Sequence, residues 1–297
     1  MLGKKNALCA AADMTRYPFF CETELLLWWR NRSFSHDRSY YLGLITMCAL
    51  SAHQANKGAL FTNELPWLPG KSLAEKFLAE AIRIVPLTYD TVGDINLLRS
   101  YGILALIGTQ TSDTDLLHRY LGLYHGLSAR IGFQNEDRWP SSLSLCEKET
   151  WRRVFWVMYR LEVHNACVLG HPIRIPESQT LVGYPCGVHH TPLFPGRNGK
   201  FENWFAGWNF VTELYRILEH AINDFRTKRT AQTTVLWSKA PTNTESILQQ
   251  LSVMQSNLMP QFAQAAMKSS DSGSNRSGFQ VANILCTIHV SSCSIYR

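Results

Sequence analysis

Between Glu147 and Leu169 apolar residues recur on every side of a helical wheel: Trp151, Val154, Phe155, Trp156, Val157, Met158, Tyr159, Leu161, Val163, Ala166, Cys167, Val168 and Leu169. A helix apolar all round has no face to give to water, so other elements must surround it. Ser144 and Glu147 stand ahead of the run at the capping-box spacing, and Gly170 followed by Pro172 is a helix stop. Beyond the stop lies an extended, proline-bearing stretch that ends at Pro185. With 297 residues, 45% of them hydrophobic and 18% charged, the chain has enough apolar surface to bury such a helix.

The flanking sequence supplies the covering elements. Residues 1–17 show no periodicity, and Tyr17-Pro18-Phe19-Phe20 reads as an extended aromatic approach. Glu22–Arg32 has acids at its front and arginines at its end, matching the helix dipole, with Leu25, Trp28 and Trp29 on one face. Arg38–Lys57 carries Tyr41, Leu44, Ile45, Cys48 and Ala52 at helical spacing, and Gly43, Ala49, Ser51 and Ala52 allow close helix approach. Asn63–Gly70 is a proline-punctuated loop. Helices are expected over Lys71–Ile84, Thr91–Gln110 and Asp113–Ile131, the last two forming an antiparallel hairpin with Asp113 as N-cap and Gly132 as terminator. After the central helix come an irregular stretch at 183–200, a helix over Glu202–Arg229, a linker at Thr230–Ala240 and a helix over Ile247–Met267 preceded by a second capping-box spacing at Thr242 and Glu245. No stretch alternates as paired strands do. The expected fold class is all-α, with antiparallel helix hairpins packed around a buried central helix. The expected division is an irregular 1–17, a helical domain over 18–268, a flexible polar link at 269–278 and the start of a further helix at 279–297.

Most recognisable chemistry is excluded. There is no phosphate-cradling glycine loop, no G-x-S-x-G elbow and no H-E-x-x-H. No two cysteines have the C-x-x-C spacing, which argues against zinc-finger and thioredoxin-type sites and for free thiols in a reducing compartment. No apolar run approaches the roughly 20 residues of a membrane span, and the N-terminus lacks the apolar core of a signal peptide. His118 and His125 are two turns apart and read as ordinary helix histidines. Cys186, His189 and His190 are of the types that bind zinc but lack a fourth ligand, so no metal is assigned. Glu149 precedes Arg153 by four residues, an orientation that favours a structural ion pair over an anion site. Lys4-Lys5 and Arg226-Thr227-Lys228-Arg229 are short basic runs; the second suits either nuclear import or the helix dipole. The net charge of +6 is mild and spread out. No catalytic residue, cofactor or metal ligand is assigned.

The central stretch resembles the middle homology region of fungal zinc-cluster transcription factors, the fungal-specific transcription factor domain. The matching residues are Glu149, Arg152, Arg153, Phe155, Trp156, Tyr159, Leu161, Glu162, Gly170, Pro172, Ile173, Ile175 and Pro185, preceded by Gly122 and Ala129–Phe133 on the upstream helix. The resemblance spans roughly 15–230 and is strongest from about 91 to 185. It implies a regulatory, non-enzymatic helical domain in the nucleus. Its expected partners are other transcription regulators or co-regulators, with DNA reached only indirectly or through family members, and no membrane association. A small-molecule effector is compatible with it. The alternative is a helical ligand-binding or enzymatic domain with an aromatic-lined pocket. The family's six-cysteine DNA-binding cluster is absent from this sequence, and the C-terminal stretch matches only the beginning of a later family helix, so the chain is expected to be C-terminally truncated.

The sequence departs from the family pattern at two positions: Glu162 stands for the usual Asp and His171 for the usual Arg. If that arginine pairs with a carboxylate under the helix end, a histidine makes the contact weaker and pH-dependent. The expected outcome is that His171→Arg raises thermal stability more at about pH 8 than at about pH 6; equal melting behaviour of the two proteins at both pH values would refute the idea.

Overall fold

The computed structural model describes residues 17–58, 71–87, 94–186, 204–231, 244–263 and 272–295. The proline-punctuated loop, the linker beyond residue 231, Thr242 of the second capping box, Lys4-Lys5 and His189-His190 lie outside the described residues. The described chain is all-α. Its helices are α1 (Glu22–Arg30), α2 (Arg38–Asn56), α3 (Lys71–Ile84), α4 (Ile95–Thr111), α5 (Thr114–Ile131), α6 (Leu145–Leu169), α7 (Trp204–Ala231), α8 (Thr244–Ser256) and α9 (Ser272–Ile295). Among the described residues the only β pairing is an isolated parallel bridge between Asn135 and Leu181.

The region expected to be one helical domain contributes to two compact units, one of residues 1–158 and 180–200, the other of 159–179 and 201–297. α6 runs through both. In the first unit α4 is the most enclosed helix; Leu98, Tyr101, Ile103 and Leu104 are fully buried. Its start is fixed by Asp94, whose carboxylate accepts from the amides of Asn96 (2.8 Å) and Leu97 (3.4 Å) and from the Ser39 hydroxyl (2.9 Å). That cap places the helix start at Ile95 rather than at Thr91. Thr46 of α2 and Ser100 of α4 bring their hydroxyls to 3.3 Å, so these helices meet through small residues. Arg38 donates to the Ile84 carbonyl at the end of α3 (3.0 Å), satisfying an orphan acceptor there.

α4 and α5 form the expected hairpin. Ser112 turns the chain in the left-handed region (φ 60°), and Asp113 caps α5 by accepting from the Leu116 amide (2.9 Å). Gly132 ends α5 at φ 66°. The helices approach so closely that a Cβ on Gly108 would lie 2.6 Å from the Leu117 backbone nitrogen.

In the second unit, Val211, Leu214 and Ile217 of α7 form one apolar core with Ile247 and Leu251 of α8 and Val281, Ile284 and Ile288 of α9. Two expected boundaries are corrected here. α8 stops at Ser256, well short of Met267. Pro260 has no amide to continue the ladder, its ring would meet the carbonyl four residues back, and Met259 before it is extended (ψ 137°). Conversely, Ser272–Gly278 was expected to belong to a flexible link but forms the first turns of α9. Once Val281 and Ile284 anchor the helix, adding N-terminal turns is cheap, and serine and asparagine suit helix starts.

Glycine substitutions on α4 and α5 should separate these effects. Gly108→Ala should destabilise the protein by about 2 kcal/mol or more, because the obstructing atoms are backbone. Gly122→Ala, where nothing lies within 4 Å, should stabilise it by about 0.5–1 kcal/mol through helix propensity. Chemical denaturation of the two variants checks both signs.

Candidate functional site

The chain leaves α6 at Gly170, in the left-handed region (φ 73°), and runs on to Cys186 without regular secondary structure apart from a single 3-10 turn, Glu177–Gln179. Backbone amides in such a stretch have no ladder and need other acceptors. Four carboxylates supply them, together with one backbone pairing. Of the motif residues, Glu149, Arg152, Trp156, Tyr159 and Glu162 take part in this clamp, whereas Arg153 and Phe155 are buried away from it.

In the first unit, Glu136 follows α5 in a short 3-10 turn (Glu136–Arg138). Its Oε1 accepts from the Gly183 amide (2.6 Å) and from Arg152 Nε (2.7 Å), and its Oε2 from Arg152 Nη2 (2.7 Å). Arg152 also donates to Glu149 Oε1 (2.6 Å), whose Oε2 accepts from the Cys186 amide (2.7 Å). Trp156 Nε1 donates to the Gly183 carbonyl (3.0 Å), and its ring packs on Tyr184. The Glu136 amide donates to the Leu181 carbonyl (3.0 Å) and the Leu181 amide to Gln134 (2.8 Å). The segment is thus tied on its backbone at 181, 183 and 186. Behind it, Phe133, Trp139, Trp151 and Phe155 pack ring against ring, with centroids 5.3–6.0 Å apart. These tryptophans fill the interior.

In the second unit, Glu162 accepts from the amides of Arg174 (2.8 Å) and Ile175 (3.4 Å). Glu219 of α7 accepts from the Glu177 amide (3.1 Å) and from the Tyr159 hydroxyl (2.7 Å). The Glu177 carboxylate in turn receives Arg216 and His220 (3.2 Å). Arg226 donates to the carbonyls of His171 (2.6 Å) and Ala166 (3.3 Å), closing the exposed end of α6. Gly170 makes the turn, and His171-Pro172 leads into the stretch that Glu162 holds.

The charges respond to this packing. Burial alone would push the Glu136 carboxyl up, but the Arg152 guanidinium and the Gly183 amide outweigh it and hold the group below its usual value of 4.5. Glu177 is held down in the same way, with Arg216 and His220 outweighing burial. Arg152 is raised by its hydrogen bond to Glu136 and further by Glu149. Arg153 is almost fully buried and is lowered by that burial, against the pull of Cys21, Glu149, Cys146 and Cys186. Tyr159 is pushed far up by burial and by Glu219.

The expected pairing of Glu149 with Arg153 is corrected: the carboxylate forms its ion pair with Arg152, three residues on. Arg152 lies toward Glu136 and the returning segment, whereas Arg153 goes into the interior. The capping box is in place, with Ser144 N donating to Glu147 (2.8 Å) and the Glu147 amide to Ser144 Oγ (3.3 Å). His125 packs edge-on against Tyr124, and His118 is exposed. The basic run at 226–229 lies on α7; Arg226 serves the His171 carbonyl and Lys228 pairs with Asp224 (2.7 Å), which favours a structural use of those cations. Among the described residues no group of three metal-ligating side chains is placed to hold an ion, and no helix is long and apolar enough to cross a membrane. Glu136, Glu177, Arg216 and Glu219 carry no sequence signal of this role, and Arg226 is marked in the sequence only as part of a basic run. They lie 16 to 60 residues from their partners, and no local spacing marks them.

The arrangement is a helical scaffold in which Glu149 and Glu162 of the motif accept from main-chain amides and Trp156 donates to a main-chain carbonyl. A family model for the fungal specific transcription factor domain matches residues 19–202. The chain belongs to that family. The transcriptional activator protein acu-15 of Neurospora crassa is 28% identical over 127 residues, covering 39% of this chain and 14% of that protein. The chain therefore spans a small part of that relative's length. No solved structure matches.

The clamp predicts a pH dependence. A carboxylate held below its unfolded value contributes stability that is present above about pH 4.5 and is lost as the pH falls through the lower folded value. Glu136→Gln should cost about 1–3 kcal/mol at neutral pH, and its gap from the wild type should narrow as the pH falls toward about 3. Urea midpoints of the two proteins across that range test it; a constant gap would mean that Glu136 acts without its charge.

Proposed function

We propose that this chain is a regulatory, non-enzymatic domain of a fungal transcription regulator, acting in the nucleus. It would change transcription by responding to other regulators, co-regulators or a small-molecule effector, and would reach DNA through family members rather than by its own contacts. The family match over 19–202 is the observation that carries this reading. The name of the Neurospora relative, a transcriptional activator, supports the same direction. The motif residues add support of a different kind. Glu149, Arg152, Trp156, Tyr159 and Glu162 are occupied in holding the chain itself, as framework residues of an interaction domain would be.

A tethering experiment tests the proposal. The full chain is placed between a heterologous DNA-binding module and a strong activation segment in a fungal cell that carries a matching reporter. The expected result is a several-fold change in reporter output at equal protein level, lost in Arg152→Ala, together with nuclear accumulation of a fluorescent fusion of the chain. Unchanged output combined with a purely cytosolic fusion would overturn the reading.

A further inference from the structure

Cys21 and Cys146 are separated by 125 residues, yet their Sγ atoms lie 3.9 Å apart. Both belong to the first compact unit. Cys21 is buried immediately ahead of α1, and Cys146 is half-buried in the first turn of α6. The main chain is pinned on both sides. The Cys21 amide donates to Glu24 (3.3 Å) and its carbonyl accepts from the Leu25 amide (3.1 Å), while the Cys146 carbonyl accepts from the Thr150 hydroxyl (2.9 Å). A disulfide has its sulfurs about 2.05 Å apart. The remaining approach of about 2 Å is within the reach of side-chain rotation at two such positions. Neither sulfur takes part in the clamp around residues 170–186.

We propose that Cys21 and Cys146 form an oxidisable dithiol that peroxides convert to an intrachain disulfide. Cys146, the more accessible thiol, meets the oxidant. Its thiolate attacks one peroxide oxygen, the O–O bond breaks, and a sulfenic acid and a hydroxide result; the hydroxide takes a proton and leaves as water. The Cys21 thiolate then attacks the sulfenic sulfur. The S–O bond breaks, the S–S bond forms, and the hydroxyl departs as a second water. Two thiols and one peroxide become one disulfide and two waters, with two electrons passing from sulfur to oxygen. Burial pushes the Cys146 thiol up, and the adjacent Cys21 and Glu24 push the same way against Arg153. The thiolate fraction at neutral pH is therefore small, so the pair responds to sustained oxidant rather than to traces. The bridge would span α1 to α5 and restrict the unfolded chain, and a reducing thiol pool would open it again.

The test uses the full chain, fully reduced and then exposed to excess hydrogen peroxide. Remaining thiols are blocked with N-ethylmaleimide before non-reducing digestion and mass spectrometry. The expected result is a linked Cys21–Cys146 peptide as the main disulfide product, with a melting temperature raised by several degrees and restored by dithiothreitol. Cys21→Ala and Cys146→Ala should each abolish both effects, while Cys48→Ala, which removes a buried thiol of α2, should keep them. Conversion of Cys146 to sulfinic or sulfonic acid without the linked peptide would overturn the proposal. So would disulfides formed chiefly through the exposed Cys186, Cys286 or Cys293. The wild-type peptide map decides the matter even if an alanine variant fails to fold.

Discussion

The structure depends on how the chain after Gly170 satisfies its backbone. That stretch carries three prolines, Pro172, Pro176 and Pro185, and its β pairing among the described residues is the isolated Asn135–Leu181 bridge, so its amides must find acceptors elsewhere or be buried at a cost of about 1–3 kcal/mol each. Glu136 and Glu149 receive the amides of Gly183 and Cys186, and Glu162 and Glu219 receive those of Arg174, Ile175 and Glu177. Three of these carboxylates are buried, which is tolerable because each is itself hydrogen-bonded by the groups it holds. Charge-assisted bonds of this kind fix a path for the chain that apolar packing alone would leave loose.

This accounts for a helix that looks contradictory in sequence. α6 is apolar all round and yet carries Glu149, Arg152, Arg153, Tyr159 and Glu162. The apolar residues build cores, such as the one in which Trp151 and Phe155 meet Phe133. The polar residues are spaced along the helix so that Glu149, Arg152 and Trp156 serve the first compact unit, and Tyr159 and Glu162 the second. One helix thus contributes polar anchors to both units, and its residues are committed to structure.

Much of the helical layout was legible because its signals are local. Asp113, Gly132, Ser144, Glu147 and Gly170 act where their spacing predicts, since a cap or a left-handed terminator depends on its immediate neighbours. Local pattern misleads where apolar spacing continues past a stop, as across Pro260, and where tertiary anchoring extends a helix into a polar stretch, as at Ser272. The clamp was half legible. Its α6 members were named from the resemblance, but the choice of Arg152 over Arg153 as the partner of Glu149 turns on Glu136, which no spacing on the helix reveals.

The sequence by itself determined that the chain is all-α, that a helix runs from about Glu147 to Leu169, and that the chain resembles one fungal regulator family. Those conclusions rest on periodicity, capping and motif, which are written in consecutive residues. Only the tertiary structure decided that this helix is buried in its middle turns and exposed at its ends, which carboxylate holds which amide, that Tyr159 leans on Glu219 sixty residues away, and that two cysteines from distant elements lie side by side. Those contacts join residues far apart in the chain, and their geometry exists only once the helices have packed.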